Sequence, residues 1–443
     1  MSDIRSTVIE LLGQLGSSRE ARQYLKQFSR VDQTRFAVVK VGGAVLRDHL
    51  DALATSLAFL QQLGLTPIVL HGAGPQLDEA MVAAGIPVEK HEGLRVTTEA
   101  VMAVVRPVIY RANGDLVDAL EARGVKARGI LHGVFKSHLA NPDKLGLVGE
   151  IDEVDLAPLS GAMRAGALPV LACLGESASG QMMNINADLA AQELVWAVQP
   201  HKVIFLTETG GLLDESGQII SAINLSSDYE MLMDADWVHS GMALKISAIK
   251  TMLDRLPPET SVSITSAAKL TRELFTHTGA GTLIRRGEKI EWHESLASER
   301  LSRVERLLEE SFGRTLKPDW LADRPVSGWL VAQSDRAAAL IVHGLDGIPY
   351  LDKIVVTPEA QGEGLGAALW SALRARCPAM YWRSRASNPI NPWYHQQAQM
   401  SCRVGEWVVF AIGLDDFRSF EPLVSDAQGR KPGWLEASST ASP

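Results

Sequence analysis

Cysteine is scarce in this chain: three residues in 443, Cys173, Cys377 and Cys402, widely separated and without a CxxC pair. That excludes a disulfide framework and leads to the expectation of a reducing, cytoplasmic setting. No stretch approaches the ~18 apolar residues of a membrane span, and Asp3, Arg5 and Glu10 stand where a secretory signal needs an apolar core. No membrane role is expected. Basic residues are in deficit, 43 Lys and Arg against 52 Asp and Glu for a net charge of -9, which argues against a general nucleic-acid surface. A Walker A loop is absent as well, since no GxxxxGK[ST] occurs.

What is there is an ordinary folded composition, 46% hydrophobic and 21% charged, long enough for two or three domains. Small anionic substrates remain open, because a local basic cluster can sit in an acidic protein. The run Phe36 to Val41 reads as a buried parallel strand, interrupted by Lys40 and followed by Gly42 and Gly43. A lysine inside such a strand needs a reason, and paired glycines let backbone N–H groups approach an anion. Both features point to a phosphate-bearing ligand.

Strands and helices then alternate. Pro67 to Leu70 is an apolar strand ending in His71-Gly72-Ala73-Gly74-Pro75, with a helix over Gln76 to Ala84. Leu168 to Leu171 and Val203 to Leu206 are further strands, the latter entering Thr207-Glu208-Thr209-Gly210-Gly211. The alternation predicts an α/β unit with an open, mainly parallel sheet between helices and ligands at the carboxyl ends of its strands. Gly93-Leu94-Arg95-Val96-Thr97 offers a guanidinium fork for a carboxylate. Asn184, Asn186 and Asp188 open a helix over Ala187 to Val198, more polar groups than one N-cap needs. Lys245 lies on a helix that Pro257 and Pro258 stop, and Ser261 to Ile264 and Thr282 to Ile284 read as closing strands.

After Arg285-Arg286-Gly287 the pattern changes. Glu294 to Phe312 is charged and amphipathic, Trp329 to Val331 pairs with Ala338 to Val342 as a hairpin, and Asp352 to Val356 leads into Gln361-Gly362-Glu363-Gly364-Leu365-Gly366 before a helix. This is a second, α+β unit. The expected organisation is a helical arm over 1–30, a first domain over 31–287, a second over 295–425 and a flexible tail over 426–443, rich in Ser, Ala, Gly and Pro.

Lys40, Gly42, Gly43, Gly72, Arg95, Asn184, Asp188 and Lys245 together resemble the amino-acid kinase family, most closely its acetylglutamate kinases, over about residues 20 to 285. The resemblance implies that Lys40, Gly42, Gly43, Thr207, Gly210 and Lys245 bind ATP, carried with Mg2+. It implies that Gly72, Ala73, Arg95 and Asn184 hold acetylglutamate, and that Lys40, Asp188 and Lys245 are catalytic, Asp188 orienting the lysines. Ala73 departs from the three consecutive glycines of many bacterial relatives. Activity is expected nonetheless, as fungal-type members share HGAGPQ. Tyr24 in the amino-terminal arm, with Glu273 and Gly279, is similar to the effector site of arginine-inhibited relatives, which implies feedback by arginine and a homo-oligomer, a tetramer among the options.

Gln361 to Gly366 fits the [Q/R]xxGx[G/A] turn of acetyl-CoA-dependent N-acetyltransferases, a strand opening onto a helix N-terminus that receives pyrophosphate. Trp382 to Tyr394 closely resembles the acetyltransferase domain of vertebrate-like N-acetylglutamate synthases, including those fused to a kinase. By that resemblance Val355, Val356, Gln361, Gly362, Gly364 and Gly366 bind acetyl-CoA, Lys353, Arg383 and Asn388 bind glutamate, and Tyr394 is the acid near the thioester. Core packing is the competing reading of Tyr394. The expected protein is bifunctional, making acetylglutamate and then phosphorylating it. The alternative is a synthase whose kinase-like domain serves only as an arginine sensor.

Overall fold

A computed structural model of the chain describes residues 35–275, 280–322, 324–357, 360 and 364–435. The expected amino-terminal arm with Tyr24 lies outside them, as do Gly279, Gln361 and Gly362. Two compact units result, divided between Arg286 and Gly287.

The first unit is built on an eight-stranded sheet: β1 (Ala37–Val41), β2 (Ile68–His71), β3 (Ala127–Ile130), β4 (Leu168–Ala172), β5 (Lys202–Leu206), β6 (Ala222–Asn224), β7 (Ser261–Thr265) and β8 (Thr282–Arg285). Their spatial order is β6-β8-β7-β5-β1-β2-β4-β3. All pairs are parallel except β7 with β8. Successive residues of β1 serve opposite faces, Val39 and Val41 in one apolar core and Val38 in the other. Each fully buried valine contributes about 1.5–3 kcal/mol. The chain leaves β1 toward β2 on one side and later places β5 on the other, which makes the carboxyl ends of β1 and β5 the switch point where open sheets bind ligands.

Helices α1 (Gly43–Asp48), α2 (Gly74–Ala83), α3 (Glu99–Glu121), α4 (Ala187–Val198) and α5 (Ser240–Asp254) flank this sheet. Helix α3 spans 23 residues despite Pro107 in its interior, capped by Thr98, whose hydroxyl accepts from the Val101 N–H. A four-stranded sheet from Phe135–Leu139, Gly149–Val154, Leu174–Glu176 and Met182–Asn184, and a hairpin of Lys90–His91 with Leu94–Arg95, sit on this frame. Neither was legible as a strand pattern, since these segments are short and mostly half-exposed.

The second unit is a seven-stranded sheet of β9 (Ile290–His293), β10 (Val326–Ala332), β11 (Ala337–Val342), β12 (Tyr350–Val356), β13 (Met380–Arg385), β14 (Met400–Val404) and β15 (Trp407–Ile412), ordered β9-β10-β11-β12-β13-β15-β14. Strands β12 and β13 are the parallel pair and share a single register match, Tyr350 with Tyr381. Helices α6 (Ser298–Phe312) and α9 (Phe420–Gly429) cover one face, while α7 (Leu365–Arg376) and Tyr394 of the short helix α8 (Asn391–Gln397) cover the other. The expected tail is corrected as far as Leu435. Helix α9 continues through Gly429, and Trp434 enters the apolar core and pairs with Leu316, so this stretch has enough apolar anchorage to pack despite its polar composition.

Candidate active sites

Lys40 pairs in register with Leu70 of β2 and Phe205 of β5, one residue before the strand ends. Its ammonium meets the Asp188 carboxylate at 2.6 Å. The three polar groups around α4 have separate duties. Asn186 is the cap, its Oδ1 accepting from the N–H groups of Asp188 and Leu189. Asp188 is thereby released to hold Lys40, and Asn184 donates to the Thr97 hydroxyl at 3.1 Å.

Gly42 and Gly43 follow β1, and only the second is sterically obligatory. A Cβ on Gly43 would stand 2.7 Å from the Gly74 nitrogen and 2.8 Å from Pro75 Cδ, whereas one on Gly42 would meet only the Leu206 carbonyl at 3.5 Å. The loops after β1 and β2 thus touch backbone to backbone. Gly72 donates back to the Val41 carbonyl at 3.1 Å. Beneath it, buried His71 accepts at Nε2 from Asn113, whose amide also donates to the Val170 carbonyl. With both Asn113 protons donated, the ring is neutral, and burial lowers its pKa to about 4.

Arg95 is nearly enclosed, its guanidinium 2.6 Å from Asp78 of α2 and in contact with Met81 Sδ. Thr97 donates to the Arg95 carbonyl while accepting from Asn184, so one buried hydroxyl ties the two expected substrate grips together. Sequence reasoning named the motif but missed Thr97, Asp78 and His71, although the threonine inside GLRVT was visible.

Lys40, Gly42, Gly43, Gly72, Ala73, Arg95, Asn184 and Asp188 all line one cavity, together with Cys173 and the hairpin residues Lys90, Gly93 and Leu94. Lys245 does not line it and is exposed on α5. Thr207 and Gly210 turn at the end of β5, the Thr207 hydroxyl accepting from the Gly210 N–H at φ +70°. A cavity with a cationic strand end, a glycine contact without room for a methyl, and a guanidinium at the far wall fits a nucleotide phosphate beside a carboxylic acid. Glu273 is buried and accepts from the Ala280 N–H.

In the second unit, β12 carries a bulge at Asp352, where Leu340 pairs with Lys353 and Ile341 with Leu351. The bulge bends the strand so that consecutive side chains meet, Lys353 Nζ lying 2.5 Å from Asp352 Oδ2. Arg324 approaches the same carboxylate at 3.4 Å. Burial pushes the Asp352 pKa up, but Lys353 and Arg324 outweigh it and hold the group below the usual range. Lys353 also lies over the rings of Trp320 and Trp434. Arg383 donates to the carbonyls of Ala427, Gln428 and Arg430 at the end of α9 and stacks on Trp407. Both expected glutamate cations are therefore engaged with protein groups. Asn388 lines a separate groove with Asn391, His395, Ser401 and Arg403, which neither cation lines.

Tyr394 is buried among Trp370, Trp382, Trp393 and Phe410, and burial pushes its phenol well above the usual range. Trp382 Nε1 and Ser384 Oγ, on the same face of β13, are buried without a hydrogen-bond partner among the described residues. Helix α7 starts after Gly364 at φ +87° with no side-chain cap, leaving its first-turn N–H groups for an anion. Gly366 sits 3.6 Å, as a notional Cβ, from Val356 Cγ2, and Val355 packs into the core below. An uncapped helix start of this kind suits the pyrophosphate of a ligand such as acetyl-CoA.

The amino acid kinase family profile matches residues 35–266, and that of the N-acetyltransferase of N-acetylglutamate synthase matches 290–430. An acetylglutamate kinase of Xylella fastidiosa is 50% identical over 422 residues, which is 95% of this chain and 100% of that protein. The mitochondrial N-acetylglutamate synthase of Homo sapiens is 33% identical over 436 residues, 96% of this chain and 78% of that one. Among solved structures, N-acetylglutamate synthase from Neisseria gonorrhoeae complexed with coenzyme A and N-acetyl-glutamate aligns with a TM-score of 0.65 at 20% identity, covering 89% of this chain and 98% of that one. The same protein complexed with coenzyme A and L-arginine aligns at 0.55. At such identity the likeness is one of fold.

Proposed function

Since this chain belongs to the amino acid kinase family and carries the N-acetyltransferase domain of N-acetylglutamate synthases, we propose that it catalyses two consecutive reactions of arginine biosynthesis. The carboxyl-terminal unit transfers acetyl from acetyl-CoA to glutamate, and the amino-terminal unit phosphorylates the resulting N-acetylglutamate on its side-chain carboxylate. The observation that carries the kinase is the meeting of Lys40, Asp188, Gly43, Arg95 and Asn184 around one cavity.

The acceptor carboxylate, with an unperturbed pKa of about 4.3, is ionised at neutral pH and needs no base. Its oxygen attacks the terminal phosphorus of ATP as the bond to ADP breaks. The protein's task is to hold two anions together and neutralise the moving charge. Lys40, oriented by Asp188, serves that end, with Lys245 of α5 as the second phosphate cation and Thr207 and Gly210 on the nucleotide side. Magnesium accompanies the nucleotide. Arg95 and Asn184 hold the acyl amino acid.

In acetyl transfer the glutamate ammonium loses a proton to water, its nitrogen attacks the thioester carbon, and the carbon–sulfur bond breaks. Tyr394 supplies the proton the sulfur takes, burial keeping that phenol protonated until then, and the surplus proton of the newly acylated nitrogen returns through water to the phenolate. Lys353 and Arg383 are the glutamate cations, each exchanging its present protein partner for a substrate carboxylate, while Asn388 lines a separate groove. Arginine is an effector, Glu273 supplying a carboxylate for it, and the enzyme is a cytoplasmic homo-oligomer. Among the described residues no helix is long and apolar enough to cross a membrane.

Two assays test the proposal. Thiol release from acetyl-CoA with glutamate measures the synthase, and its absence at saturating substrate would sink that half. An ATP-dependent hydroxamate assay with acetylglutamate measures the kinase, and a silent wild-type protein would support the sensor alternative. The Lys40–Asp188 pair favours a working kinase, because a sensor has no use for an oriented phosphate lysine.

A further inference from the structure

The hairpin over the kinase cavity carries a cation that no motif singled out. Lys90 is paired in register with Arg95, and His91 with Leu94. The two-residue turn between them, Glu92 at φ +50° and Gly93 at φ +82°, has both residues left-handed, the turn that fits a tight hairpin and fixes its register. Directly opposed side chains in an antiparallel pair share a face, with Cβ atoms about 5 Å apart, and like charges so placed repel. Lys90 and Arg95 both line the cavity. Lys90 makes no ion pair with any described residue, while Arg95 is already committed to Asp78 at 2.6 Å.

The charges of this wall decide the matter. Arg95 and Asp78 cancel, so without Lys90 the carboxylate end of the cavity is neutral. With Lys90 it carries one net positive charge, which matches one carboxylate. A substrate with a second carboxylate remote from the phosphoryl acceptor relieves the Lys90–Arg95 repulsion and fills that surplus.

Building on the kinase reading, we infer that Lys90 is a substrate-binding residue that, with Arg95, grips the α-carboxylate of N-acetylglutamate and so selects a dicarboxylic over a monocarboxylic acceptor. Lys90 is exposed and outside the core, so its replacement leaves the fold intact.

The test compares wild type with Lys90→Gln and Lys90→Arg on N-acetylglutamate and on its α-carboxamide, which keeps the acceptor carboxylate and loses the other charge. The KM of Lys90→Gln for N-acetylglutamate should rise about tenfold, with KM for ATP unchanged and kcat within about twofold, and Lys90→Arg should restore most of the loss. On the α-carboxamide, wild type and Lys90→Gln should be equal. Calorimetric binding of the two ligands reads the same difference without turnover. Equal losses on both substrates, or none on either, would overturn the inference while leaving the kinase assignment standing. A wild-type protein that neither binds nor phosphorylates acetylglutamate overturns the kinase assignment, and this inference with it.

Discussion

Gly43→Ala puts the kinase geometry to its hardest test. The added methyl would lie 2.7 Å from the Gly74 nitrogen and 2.8 Å from Pro75 Cδ, both parts of the neighbouring loop and helix start rather than flexible side-chain ends. Ordinary contact requires the loops to part by about 0.7 Å, and displacements approaching 1 Å at a reacting centre cost roughly 10²-fold in rate. Overpacking of this kind also destabilises by about 1–3 kcal/mol. Hydroxamate formation from ATP and acetylglutamate should therefore fall about 100-fold in kcat/KM, while thiol release from acetyl-CoA, which depends on the other unit's residues, stays near wild type. Gly42→Ala is the control, because its methyl meets only the Leu206 carbonyl at 3.5 Å and its backbone angles, φ -66° and ψ 146°, are open to alanine. It should lose no more than about tenfold. If Gly43→Ala keeps kinase kcat/KM within about threefold of wild type, the close approach of the two loops is not what organises the site.

Lys40→Ala and Asp188→Asn should each depress phosphorylation by about 100-fold or more and spare acetyl transfer, a split visible when both assays are run on one preparation. Asp352→Asn should destabilise the second unit by about 3–5 kcal/mol, because it strands the buried Lys353 and Arg324, and urea denaturation followed by tryptophan fluorescence reads the loss. The stabilisation from the wild-type carboxylate is present above its unfolded pKa near 3.8 and fades as pH falls through its lower folded value, so an unchanged acid limb in the variant would contradict the pairing. His71 is held neutral, with a folded pKa of about 4 against 6.5 unfolded, so the unfolded chain gains a proton between these values that the native ring refuses. Stability should drop as pH falls from about 6.5 to about 4, and thermal midpoints of His71→Gln should show a shallower slope over that window, equal slopes counting against it.

Long apolar strands and strongly periodic helices were legible from local pattern. The strand expected over Phe36 to Val41 appears as Ala37–Val41, and the helix expected over Ala187 to Val198 has those ends, because Asn186 is a strong N-cap and Gln199 closes the last turn at φ +52°. The boundary between units was marked by Arg285-Arg286-Gly287, where parallel-sheet chemistry gives way to hairpins. Short strands such as Met182–Asn184 and Lys90–His91 were not legible, since they gain their partners only from the fold. Pro107 is tolerated inside α3 because the helix is anchored by Val101, Val105, Ile109 and Leu116 in the core.

Residue types alone led to the expectation of an anion site at the strand ends: a lysine inside a β-branched run, glycines after it and an arginine fork admit few other uses. Distance along the chain says nothing of distance in space, so only the tertiary structure decided that Asp188 reaches Lys40, that Thr97 ties Asn184 to Arg95, and that Lys90 faces the same cavity. It also decided that Arg383 rests on the carbonyls ending α9, a contact set by packing of elements some 45 residues apart, which no local pattern encodes.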